Sequence, residues 1–172
     1  MRNIFLILLI VVGMITTLTG CTSSVERESK KAIRAKLVDP NSAIFTNFIG
    51  PQTIPQWEFS YRGGKLIRVN VNAKNRMGGY VGTAEWVVIF DHDGKITDVG
   101  PGDEITERLT RDFQRSSNNA KARMTKEKRQ PEWGDLIVIR KLASILAVLS
   151  PHTGERYLKE AREIMEQARR FN

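Results

Sequence analysis

The chain of 172 residues has a single cysteine, Cys21, so no internal disulfide can form. It has two histidines, His92 and His152, too few to build a zinc site without other strong ligands. No serine stands in a Gly-x-Ser-x-Gly turn, so the strained elbow of one large hydrolase class is missing. No spacing brings Ser, His and Asp, or a pair of carboxylates such as Glu58 and Glu85, into a recognisable catalytic set. No apolar run reaches the roughly 20 residues of a spanning helix, and there is no internal repeat. A non-enzymatic chain with no catalytic residue, no cofactor and no metal is the leading expectation, with a hydrolase as the lesser alternative.

What is present begins with composition. Hydrophobic residues make up 41%, enough for a packed core. The net charge is +8, so acidic partners suit the chain.

The first residues have the layout of an export signal: Met1-Arg2-Asn3, an apolar stretch from Ile4 to Ile15, then Leu18-Thr19-Gly20-Cys21. That tetrapeptide closely resembles the bacterial lipobox. The resemblance implies removal of residues 1–20 and a diacylglyceryl thioether on Cys21, the lipidation site. It also implies a membrane anchored chain outside the cytoplasm. In sorting of the enterobacterial type, Thr22 rather than Asp after the cysteine implies the periplasmic side of the outer membrane. An exported protein rarely meets nucleic acid. The expected partners are the membrane through the lipid, an envelope protein, and anionic lipid or peptidoglycan through basic residues.

The exported part divides into a lipidated tether (21–28), an α+β domain (29–102), a basic polar helix or linker (103–131) and a helical hairpin (132–172). Ser24 can cap a helix running to about Val38, ended by Asp39-Pro40. Ile44, Phe45 and Phe48 read as a short strand, and Gly50-Pro51 to Pro55 as a loop. Trp57, Phe59 and Tyr61 alternate as a strand, and Arg62-Gly63-Gly64-Lys65 reads as a hairpin turn. Leu66–Asn72 places Ile67, Val69 and Val71 on one face. Tyr80–Phe90 and Lys95–Val99 follow, joined by Asp93-Gly94. This is a small antiparallel meander of about four strands.

Asp103 or Thr106 can cap a helix carrying Ile105, Leu109 and Phe113. From Arg115 to Gln130 apolar residues nearly vanish, as in a solvated helix or a flexible basic linker. Leu136–Leu149 reads as a buried helix stopped by Ser150-Pro151. Glu155–Phe171 is an amphipathic one, and the two form a hairpin.

The most distinctive stretch is Asn72-Ala73-Lys74-Asn75-Arg76-Met77-Gly78-Gly79-Tyr80-Val81-Gly82, with Asp39-Pro40-Asn41-Ser42-Ala43-Ile44-Phe45 upstream. Over about residues 30 to 90 these segments resemble a group of uncharacterised bacterial and phage-borne secreted proteins. The resemblance implies a fold and a compartment, and no reaction. Many members carry Cys-Gly just before the second motif; Arg68-Val69 stands near that place here.

Two readings of the second motif follow from its residues. It can form a ligand site, with Lys74 meeting a carboxylate or phosphate, Asn72 and Asn75 meeting amides, Gly78 and Gly79 allowing close approach, and Tyr80 as a wall. It can equally be a demanding hairpin loop. Asp91-His92-Asp93-Gly94 lacks the further ligands of a calcium loop and reads as a turn. A protein-binding adaptor is the leading functional expectation. A wall-polymer binding module, and an exclusion factor or wall-enzyme inhibitor, are the alternatives.

Overall fold

The computed structural model describes residues 20–56 and 62–170. It is an α+β fold built on one antiparallel sheet in the order β1-β2-β3-β4: Ile44–Ile54, Gly64–Lys74, Tyr80–Asp91 and Ile96–Pro101. Helix α1 (Gly20–Arg34) lies against one face of the sheet. Helices α2 (Gly102–Thr125), α3 (Trp133–Leu149) and α4 (Pro151–Arg169) pack against the other.

The two faces follow from the strand sequences. Ile67, Val69 and Val71 alternate along β2 and join Val88, Phe90 and Ile33 in the core under α1. The intervening positions look the other way: Leu66 joins Ile54, Val87 and Ile89 in the larger core with the three helices. The continuous run Val87-Val88-Ile89-Phe90 is buried because both sides of the sheet are covered there.

Several elements differ from the sequence reading. The tether expected at 21–28 lies within α1, and Val25 packs against the core. The helix ends at Arg34 rather than near Val38, and a single 3-10 turn, Pro40–Ser42, follows. β1 does not stop at Gly50-Pro51 but continues to Ile54. Gly50 takes φ +115, and a Cβ there would meet the Leu66 carbonyl oxygen at 2.7 Å. Register shifts on both sides of Ile49 absorb the irregularity, and proline is tolerated because β1 is an edge strand. Gly64 and Lys65 belong to β2, not to a turn, and Ile54 pairs with Gly64. The strand expected over Trp57–Tyr61, like most of the leader, lies outside the described residues.

The basic stretch after Gly102 is helical to Thr125, and neither Asp103 nor Thr106 caps it with its side chain. The helix starts directly at Gly102, where a Cβ would meet Glu85 Oε1 at 3.2 Å. Thr106 Oγ1 instead donates to the Gly102 carbonyl at 2.7 Å. The apolar stripe survives the polar run because Ser117, Ala120 and Met124 continue the line of Ile105, Leu109 and Phe113. Phe113 is fully buried, edge-on to Tyr157 of α4 with ring centroids 5.2 Å apart. The basic residues serve the packing: Lys121 Nζ lies 2.6 Å from Glu160, and Arg123 lies 2.8 Å from Glu132 and 3.0 Å from Asp135.

α3 and α4 form the hairpin, and α4 starts at Pro151, four residues earlier than the pattern from Glu155 suggested. Gly154 faces Ala147 so closely that a Cβ would stand 2.4 Å from the Ala147 Cα. No helix among the described residues is long and apolar enough to cross a membrane.

Candidate functional site

The two motifs singled out in the sequence meet in space. Asp39 Oδ1 accepts from the amides of Asn41 and Ser42 at 3.2 and 3.3 Å, which shapes the 3-10 turn. Ser42 Oγ donates to the Asp39 carbonyl at 3.0 Å and accepts from the Lys74 amide at 2.9 Å. The Tyr80 hydroxyl reaches the Ser42 carbonyl at 3.5 Å. The first motif thus buttresses the base of the hairpin formed by the second.

The hairpin tip is organised from within. Asn75 Oδ1 accepts from the amides of Met77 at 2.9 Å and Gly79 at 3.1 Å. The Asn75 amide donates to Gly79 O at 2.9 Å, and the Gly78 amide to Asn75 O at 3.0 Å. Gly78 takes φ +80, a conformation that favours glycine. Lys74 Nζ sits 5.5 Å from the Tyr80 ring centroid. Asn72 Oδ1 is buried with no hydrogen-bond partner among the described residues. The structure therefore brings Asn72, Lys74, Asn75, Gly78, Gly79 and Tyr80 together on one arm, and the oxygen of Asn75 is engaged inside it. Cys21 lies in the first turn of α1.

Replacing Asn75 with alanine removes an acceptor for two amides, as loss of a helix cap does. A cost of about 0.5–2 kcal/mol is expected. Asn75→Asp, which keeps the acceptor, is expected to recover most of it. Thermal unfolding of the three proteins gives the comparison.

The arm has a further property that the sequence did not suggest. β4 pairs with β3 only from Trp86 onward. Along Tyr80–Glu85, β3 is bound to β2 on one side, and no described strand lies on the other. All six residues are exposed. Val81 is 70% exposed and Tyr80 50%, and Met77 at the tip is 93% exposed. An open edge with apolar side chains is what natural sheets ordinarily cover or charge.

The turn after β3 is also internally tied. Asp91 Oδ1 accepts from the amides of Asp93 at 3.0 Å and Lys95 at 2.8 Å. His92 Nε2 lies 3.1 Å from Asp93 Oδ2 and 3.3 Å from the Arg62 guanidinium. Among the described residues no group of three or more His, Cys, Asp or Glu side chains could hold a metal ion.

In the sequence Arg68 stands out only by its place near the position of the Cys-Gly pair. It points from β2 to the end of α3, donating to the carbonyls of Val148 at 2.5 Å and Leu149 at 3.0 Å. Compared with protein-family models, with curated protein sequences and with solved structures, the chain finds no match.

Proposed function

We propose that the protein is a lipid-anchored envelope lipoprotein that works by binding another protein rather than by catalysis. The export-signal layout and Leu18-Thr19-Gly20-Cys21 support lipidation of Cys21 and a place on the periplasmic side of the outer membrane. The observation that carries the binding role is the edge of β3 over Tyr80–Glu85, which no described strand covers, with Val81 and Met77 exposed beside it.

An extended segment of an envelope protein would add there as a further strand. Main-chain hydrogen bonds would supply affinity, and the flanking apolar side chains would select its sequence. The wall-polymer alternative uses the same arm, through Lys74 and Tyr80.

A photo-crosslinking residue at position 81 of the full chain, expressed in its own host, tests the reading. A matched probe at Lys159, exposed on α4, is the control. One abundant protein adduct from position 81 and none from position 159 is expected. Muropeptide adducts without protein would favour the polymer reading. Equal, unspecific adducts from both positions would remove the edge as a binding site. The mass of the N-terminal peptide, expected to carry acyl chains on Cys21, reports the anchor separately.

A further inference from the structure

Helix α1 divides its surface between two chemistries. Ser29 and Ile33 are fully buried against the sheet, with Val25 packed beside them. Arg27, Lys30, Lys31 and Arg34 recur at intervals of three and four residues, so they line the opposite side. Arg27, Lys31 and Arg34 are exposed and Lys30 is half-buried. Lys30 Nζ lies 4.8 Å from the Phe48 ring centroid, and Arg34 lies 5.1 Å from that of Phe45. The rings support the long side chains while their cationic heads stay at the surface.

None of these four cations has a carboxylate within 4.0 Å among the described residues. The longer basic run of α2 differs. Arg108, Arg111, Lys121 and Arg123 there all hold acidic partners. Arg115 on α2 and Arg156, Lys159 and Arg162 on α4 also lack an acidic partner within 4.0 Å among the described residues, so what sets the α1 cations apart is their place on one helix face, a few residues after Cys21.

We propose that this face of α1 rests on anionic phospholipid headgroups, next to the acyl chains on Cys21. The proposal builds on the lipoprotein reading. Cys21 is in the first turn of the same helix, and Arg27 follows six residues later, about 9 Å along the axis. A lipid on Cys21 therefore holds the cations at headgroup height, where their sign favours an anionic surface. The lipid supplies attachment and the basic face supplies orientation. With α1 against the membrane, the sheet stands above it and the α2–α4 layer points away from the bilayer.

The full chain purified from its host is reconstituted into vesicles of phosphatidylcholine alone or of an equal mixture with phosphatidylglycerol. A membrane-impermeant amine reagent then labels lysines, and peptide mass spectrometry reads each site. Lys30 and Lys31 are expected to label about fivefold more slowly on the anionic vesicles, with Lys126 and Lys159 unchanged. Salt at about 1 M, where the screening length is roughly 3 Å, should erase the difference. Arg27→Glu should reduce it.

Equal labelling of Lys30 and Lys31 on both vesicles would overturn the proposal. So would protection by isolated wall polymer and not by anionic vesicles. The N-terminal peptide separates the two readings. Acylated Cys21 without protection leaves the anchor standing and removes the basic face. Protection without acylation does the reverse.

Discussion

Replacing Gly154 with alanine is expected to lower the thermal unfolding midpoint by about 5–10 °C. The direction is opposite to helix propensity, which favours alanine over glycine by about 1 kcal/mol inside a helix. Packing decides the sign. Gly154 is buried in α4, and an added Cβ would stand 2.4 Å from Ala147 Cα and 2.8 Å from the Ala147 carbonyl oxygen. These are backbone atoms, which no rotamer change can clear. The two helices must separate, opening the contacts of Leu146 and Tyr157 in the core between them. Overpacking of this kind costs about 1–3 kcal/mol and sometimes more, and the closeness here places it at the upper end. Gly134→Ala is the control: it lies in the first turn of α3 with nothing within 4 Å of an added Cβ. It should be neutral or slightly stabilising. If Gly154→Ala also raises the midpoint, the close crossing is not a requirement of the fold.

Arg68→Ala is expected to cost about 2–4 kcal/mol, from hydrogen bonds to a charged donor and the favourable placing of a cation at a helix C-terminus. The side chain is only 18% exposed, so water replaces the lost contacts poorly. Val148 and Leu149 are among the last carbonyls of α3, which have no partner within their helix. Glu85 lies 3.9 Å from the guanidinium but is 45% exposed, so it contributes little. A double-mutant cycle with Glu85→Ala should give a coupling under about 1 kcal/mol. A coupling of about 2 kcal/mol or more would mean that the carboxylate, not the α3 carbonyls, gives Arg68 its importance.

How much of this was legible in the sequence depended on how local the signal was. The alternation of Ile67, Val69 and Val71 gave the α1-facing side of β2 directly, and the run Tyr80–Phe90 gave β3. Gly50-Pro51 hid the continuation of β1, because the glycine's positive φ and the edge position that tolerates proline are properties of the sheet. The second half of α2 was obscured because its stripe is carried by small or flexible residues, Ser117, Ala120 and Met124. The spacing of Arg27, Lys30, Lys31 and Arg34 was readable but outweighed by the denser basic run downstream. The contact between Ser42 and Lys74 spans 32 residues, and that between Arg68 and Val148 spans 80. No local pattern announces either. The open edge of β3 required knowing where β4 stops.

The central strand carries a consequence for how the chain avoids misassembly. Leu66 and Arg68 serve the helical layer while Ile67, Val69 and Val71 serve the layer under α1. A slip of one residue would exchange both sets at once and drive a guanidinium into the apolar side. A slip of two would restore the faces yet carry Arg68 about 7 Å away from the end of α3. Arg68 thus acts as a register mark. Only one alignment of β2 satisfies hydrocarbon on both sides and the α3 carbonyls together, so the energy gap separating native from shifted pairings is set by a residue outside the alternating pattern.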